Sequence, residues 1–240
     1  MKKFFLAAAI MLIAAAAQAK TLIVYYSYTN NVERIINELR TQIEADVVQV
    51  EPAEKGLNYA ANNYAIGSAQ IAAIRANPED AASYPAIDAV DVDLSQYSTI
   101  IIGAPLWWSQ MAAPLQSYLF QHGKEMTGKN IGLIVSSASS GISGVESDAR
   151  RLIPDGIFLS PSLWIRSSQT ANAKTMLQNW LNAIDYHNLT TGIDHIDPDR
   201  ISRFTVYSLS GVRLLANSES TASLPPGLYI INGIKTAISK

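Results

Sequence analysis

The run Leu22, Ile23, Val24, Tyr25, Tyr26 is apolar, β-branched and aromatic without a break, the pattern of a strand covered on both faces. Ser27 to Asn31 then supplies hydroxyls and amides. From Val32 the apolar residues fall at Val32, Ile35, Ile36 and Leu39, with Glu33, Arg34, Asn37 and Glu38 between them, which is the spacing of an amphipathic helix. A strand that feeds a polar loop into a helix N-terminus is a candidate anion site, because the first backbone N–H groups of a helix have no intrahelical acceptors.

The same design recurs along the chain. Residues 46–50 predict a second short strand, ended by Pro52 and Gly56. Residues 58–77 are Ala-rich, with Tyr59, Tyr64, Ile66, Ile71 and Ile74 as larger members, and predict a helix interrupted near Gly67. An all-apolar strand at 99–102 leads to a loop at 103–109 and a helix at 111–122, with Pro114 tolerated in its first turn. Residues 130–135 predict another strand, 136–144 a Ser- and Gly-rich loop, and 145–152 a helix. A weaker strand at 156–160, continued by 163–165, and a helix at 171–186 close the unit.

Apolar strands alternating with helices predict an α/β fold, a doubly wound parallel sheet of five strands with helices on both faces. In such sheets ligands bind beyond the carboxyl ends of the strands. All three polar loops, 27–31, 103–109 and 136–144, follow strands on that edge. Beyond Tyr186 the pattern changes. Residues 188–200, with Asp194, Asp197, Pro198 and Asp199, read as a linker, and 201–240 as a small β-module in which Asn232-Gly233 marks a hairpin and Ser210-Gly211 a second turn. So short a segment builds only a small core.

Composition adds compartment and excludes some partners. Lys2 and Lys3, the apolar stretch 4–17 and Ala17-Gln18-Ala19 form a signal peptide over residues 1–19, with cleavage expected after Ala19. The apolar stretch is shorter than the ~20 residues that span a bilayer, so no stable membrane insertion is expected after cleavage. The expected location is periplasmic or extracellular. With no cysteine, export brings no disulfides. A formal net charge of -2 and no basic stripe give no pull toward nucleic acid.

At the first loop, Ser27, Tyr28, Thr29, Asn30 and Asn31 suit a monophosphate held by neutral donors; the glycines of a dinucleotide loop and the lysine of a P-loop are absent. The alternative is a plain helix cap made by Thr29 or Asn30. At the second, Pro105, Leu106, Trp107 and Trp108 put two indoles beside a strand end; one ring is expected to cap the core and the other to stand free for a planar aromatic ligand. The third offers Ser137, Ser139, Gly141 and Gly144. A serine nucleophile fits poorly there, since the spacing is not G-x-S-x-G and His122, His187 and His195 stand at helix ends and in the linker.

Together these loops resemble those of the flavodoxin family, over residues 21–185. The second loop is the most specific match, Gly103-Ala104-Pro105-Leu106-Trp107-Trp108 against G-x-P-x-W-W. The first corresponds to S-x-T-G-N-T, here Ser27-Tyr28-Thr29-Asn30-Asn31-Val32, and the third matches in character. The resemblance implies a flavodoxin-like sheet of order 2-1-3-4-5 over residues 20–187. It also implies FMN as cofactor, held by Ser27 to Val32, by Pro105 to Trp108 and by the third loop, with no residue needed as acid or base. Electron transfer, or reduction of a small acceptor such as a quinone, would follow, with an unknown redox partner. Asn30 stands where the family has glycine, and tolerates left-handed angles. Val32 stands where it has threonine, and the missing hydroxyl implies flavin binding weaker by up to roughly tenfold, one hydrogen bond's worth. A flavin-free binding or scaffold protein on the same fold is the alternative. The tail is similar to short C-terminal sorting modules of exported proteins of Bacteroidetes-like bacteria.

Overall fold

The computed structural model describes residues 20–190, 204–218, 220–221, 223–231 and 234–238. The signal peptide expected at 1–19 and most of the expected linker lie outside the described residues.

Five strand positions form the main sheet. β1 (Lys20–Tyr25) lies between β2 (Asp46–Gln49) and β3 (Tyr97–Trp107), both parallel to it; β5 (Asn130–Ser137) follows β3, and β6 (Ile157–Phe158) and β7 (Leu163–Arg166) share the far side of β5, all parallel. The expected order 2-1-3-4-5 is therefore present, with its fifth position divided into two short strands.

Side-chain alternation assigns the two faces. Leu22, Val24, Ile100, Ile102, Leu133 and Val135 pack with Leu115, Tyr118 and Leu119 of α3 (Ala113–His122) and Val145, Ala149 and Leu152 of α4 (Ser143–Leu152). Ile23, Tyr25, Ile101 and Ile134 point the other way, against Val32, Ile35, Ile36 and Leu39 of α1 (Asn31–Leu39) and Leu177 and Trp180 of α5 (Ala173–Ala183). Burying each large aliphatic chain stabilises the fold by about 1.5–3 kcal/mol before entropy is counted. Two apolar faces explain why these strands show no polar alternation.

Three boundaries differ from the sequence expectation. The helix after β2, α2 (Ala61–Ala76), breaks at Asn62, Asn63 and Tyr64, with φ of 48°, 55° and 62°, and not at Gly67. Two asparagines in succession, which accept left-handed angles, mark the place better than the glycine does. The second loop is not a loop throughout. β3 runs on to Trp107 and folds back through β4 (Gln110–Met111), pairing Leu106 with Met111 and Trp107 with Gln110, so α3 starts two residues later than expected. The last helix is preceded by a 3-10 turn, Ser167–Asn172, and stops at Ala183; Asp185, at φ 54°, separates it from α6 (Tyr186–Thr190).

The C-terminal residues form a separate antiparallel sheet of order β11-β10-β8-β9, from β8 (Phe204–Tyr207), β9 (Arg213–Ser218), β10 (Gly227–Ile231) and β11 (Ile234–Ile238). Ile231 faces Ile234, which makes the β10–β11 connection two residues long, as Asn232-Gly233 predicts; those two residues lie outside the described set. Gly211 takes φ 81° in the turn between β8 and β9. Val206, Leu224, Tyr229 and Ile231 make the small core.

Candidate functional site

The first loop is built around one left-handed residue. Asn30 sits at φ 60°, ψ 5°, and its carbonyl accepts the Arg34 N–H at 3.0 Å. Neither Thr29 nor Asn30 caps α1 with its side chain. That role falls to Ser27, whose Oγ accepts the Glu33 N–H at 3.2 Å. Thr29 Oγ1 instead accepts from Asn31 Nδ2 at 3.2 Å. The backbone N–H groups of Asn31 and Val32 have no intramolecular acceptor among the described residues, so two donors remain at the positive end of α1. Val32 can offer only that N–H. Its side chain is buried in the core with Tyr25 and Ile36.

The tryptophans divide the roles expected of them. Trp107 packs against the core, its centroid 5.7 Å from Tyr26, 4.8 Å from Tyr59 and 6.5 Å from Tyr28. Trp108 stands nearly perpendicular to it and is 44% exposed. Between the two loops opens a cavity of about 330 Å³. Tyr28 and Thr29 wall it on one side and Leu106, Trp107 and Trp108 on the other; Tyr59, Ala60, Tyr64 and Gly67 supply the third wall. Tyr28 ties the walls together, since its hydroxyl donates to Asn58 Oδ1 at 3.4 Å and accepts the Ala60 N–H at 3.0 Å.

No lining residue carries a formal charge. The two buried phenols beside the cavity stay protonated, because burial, with Glu51 near Tyr26 and Glu54 near Tyr59 adding to it, pushes both hydroxyls above their ordinary range. The cavity is thus aromatic, neutral and open to solvent, a place for a flat uncharged ring.

Of the fourteen residues expected at the site, five line the cavity: Tyr28, Thr29, Leu106, Trp107 and Trp108. Ser27, Asn30, Asn31 and Val32 form the adjoining helix N-terminus. Pro105 lies within β3 as its last residue paired with β5, and its carbonyl accepts the Ala112 N–H at 3.1 Å. The third loop does not reach the cavity. Ser137 is consumed inside the protein, its Oγ donating to the Ser140 carbonyl at 2.9 Å and accepting Trp164 Nε1 at 2.8 Å. Ser139 and Gly141 are exposed. Gly144 lies beneath the β3–β4 hairpin, where a Cβ would fall 1.8 Å from the Ser109 carbonyl oxygen. That close approach leaves no slot for a ring between the second and third loops at this point.

Sequence reasoning missed the third wall. Tyr59, Tyr64 and Gly67 read as ordinary members of an Ala-rich helix, and nothing in their spacing shows that the left-handed turn at Asn62 brings them over the loops. The aromatic pair flanking Asn62-Asn63 is the signal that was available.

The sequence profile of the flavodoxin family matches residues 20–184. No curated protein matches the chain. Among solved structures, a protein of Bacteroides eggerthii solved as a candidate flavoprotein is similar at 20% identity and a TM-score of 0.56, over 70% of this chain and 98% of that one. A flavoprotein of Lactobacillus acidophilus in complex with FMN is similar at 21% identity and a TM-score of 0.51, over 65% of this chain and 99% of that one. At such identities the neighbours show the shared fold. The sequence profile, which covers the whole of the parallel sheet and the loops at its carboxyl edge, goes further: the chain belongs to the flavodoxin family.

Proposed function

We propose that the chain binds FMN at the carboxyl edge of its sheet and carries electrons to a small acceptor such as a quinone outside the cytoplasm. The observation that carries this reading is the joining of a neutral aromatic cavity to a helix N-terminus with two unspent N–H groups, one part suited to a flat ring and the other to a phosphate. The similar Lactobacillus acidophilus structure holds FMN.

When bound, the flavin ring takes up and releases the electrons. The chain's own residues do the rest. Asn31 and Val32 would donate their N–H groups to the phosphate, with the Asn30 turn presenting them. Trp108, half in solvent, would stack on the ring, and Trp107 with Tyr59 and Tyr28 would keep its surroundings apolar. An uncharged lining favours an acceptor of the same kind, which is why a quinone fits better than a charged substrate.

Export is part of the same proposal. Lys2, Lys3, the apolar stretch and Ala17-Gln18-Ala19 support cleavage after Ala19, and residues 201–240 serve as a small accessory module. No helix among the described residues is long and apolar enough to cross a membrane. A flavin-free binding protein is the second reading, favoured by Val32, whose buried apolar side chain offers the phosphate no hydroxyl.

Fluorescence decides between them. FMN added to the chain starting at Lys20 should be quenched, and Trp108→Ala should remove most of that quenching while leaving the far-ultraviolet circular dichroism unchanged. Absence of quenching at high micromolar FMN would sink the flavin reading in favour of the second.

A further inference from the structure

The hairpin that carries the two tryptophans turns through Trp108 and Ser109, at φ 46° and 66°. Two left-handed residues in succession suit the twist of a paired hairpin, and Asn and Gly are the residues that usually fill them. A tryptophan in that position persists only where its surroundings enforce it, and such strain gathers at functional sites.

What enforces it lies beneath the hairpin. Asp148 of α4 is 4% exposed, and its Oδ2 accepts the backbone N–H of Met111, on the returning strand, at 2.9 Å. Its Oδ1 lies 3.5 Å from Gln110 Nε2 and 3.4 Å from the Arg151 guanidinium. Arg151 also donates to Gln116 Oε1 and to the Tyr84 hydroxyl, each at 2.9 Å, and Gln116 Nε2 donates to the Met111 carbonyl at 2.7 Å. Both backbone polar groups of Met111 are therefore held by buried side chains. A buried carboxylate paired with a partly exposed arginine adds little stability that apolar residues of the same size would not supply. Aiming the carboxylate at a single backbone N–H is what an apolar residue could not do.

We propose that Asp148 is a positioning residue: from inside the core it holds the returning strand of the hairpin, and so keeps Trp108 in the strained turn that presents the indole to the cavity. Asp148 itself does not line that cavity. The consequence for ligand binding rests on the flavin reading, whereas the placement of Trp108 does not.

The test is a double-mutant cycle in the full chain, Asp148→Asn against Ser109→Gly, with Trp108→Phe as the spectral reference. An amide keeps one of the carboxylate's two acceptor oxygens, so it can hold the Met111 N–H only by turning an NH2 donor toward the Arg151 guanidinium, and glycine relieves the left-handed strain. Near-ultraviolet circular dichroism of the flavin-free protein reads the placement of Trp108. Asp148→Asn should lose at least about half of the signal that Trp108→Phe removes and weaken FMN binding about fivefold, and Ser109→Gly in that background should restore both, because coupled residues give non-additive effects. A Trp108 signal unchanged in Asp148→Asn, or one that Ser109→Gly does not restore, would overturn the proposal. Should Asp148→Asn fail to fold, recovery of the fold in the double variant supports it and continued misfolding overturns it. If wild type binds no FMN, the flavin reading falls alone and the spectral arm still decides this one.

Discussion

The indole of Trp108 lies against the backbone of Gly67, close enough that a Cβ on Gly67 would stand 3.0 Å from Cζ3 and 3.2 Å from Cη2. One wall of the cavity is therefore set by the absence of a side chain on α2. Gly67→Ala should push the half-exposed indole outward without disturbing the core. Helix propensity favours alanine by about 1 kcal/mol, so stability should stay level or rise by up to that amount. Tryptophan emission should shift and FMN affinity should fall severalfold. A melting curve beside a flavin titration checks both, and an affinity equal to wild type would remove Gly67 from the site.

The left-handed turn at Asn30 separates backbone from side chain. Its amide makes no cap, so Asn30→Gly should fold and bind FMN much as wild type does. Asn30→Ala keeps the Cβ that asparagine already holds at left-handed angles, and should be less stable than Asn30→Gly by about 1–2 kcal/mol in urea unfolding. Equal stability of the two variants would show that the turn is not what positions α1.

Val32 tests how far the family pattern transfers. Threonine at this position would place a hydroxyl in a site that is 2% exposed, among Tyr25 and Ile36. Val32→Thr should therefore lower stability by about 1–3 kcal/mol, the cost of burying a hydroxyl without a partner, and leave FMN affinity unimproved. A clear gain in affinity would mean that the hydroxyl reaches the phosphate after all.

Asp148 gives stability a pH dependence of definite sign. Burial raises its carboxyl above the ordinary 3.8, against the opposing pull of the Met111 N–H, of Arg151 on its own helix and of Arg75 on α2. Between 3.8 and the raised value the unfolded chain has lost a proton that the folded chain keeps. The contribution is thus complete below 3.8 and is lost as pH rises through the folded value. Relative to Asp148→Asn, wild type should melt at its most favourable temperature near pH 4 and lose ground toward pH 7. The opposite trend would mean that Arg151 outweighs burial.

How much of this was legible in the sequence follows from what each element buries. The strands around Ile23, Ile101 and Ile134 are covered on both faces, so their apolar runs stood out, and the loops behind them fell on one edge of the sheet. Trp107 and Trp108 stood out as large rings next to polar positions, and both line the cavity. The third loop misled, because serines and glycines read as open donors until Ser137 is seen bonded to Trp164 and Ser140. Tyr59 and Tyr64 were hidden by long-range geometry: only the chain's return over the loops, with the left-handed residues at Asn62 and Asn63, brings them into the lining of the cavity that Trp107 and Trp108 share. The β3–β4 hairpin was invisible for a related reason, since Trp108-Ser109 is not a turn pair that composition announces.

The divided fifth strand bears on how this protein behaves among its own copies. A sheet edge recruits foreign chains by offering an unbroken row of N–H and C=O groups. Here the far edge is two residues of β6 and four of β7, separated by a segment containing Pro161, and the near edge is the four-residue β2. Neither border is long enough to template a neighbour's strand. Crowded solutions of the parallel-sheet domain should therefore resist the edge-to-edge stacking that leads to fibrils.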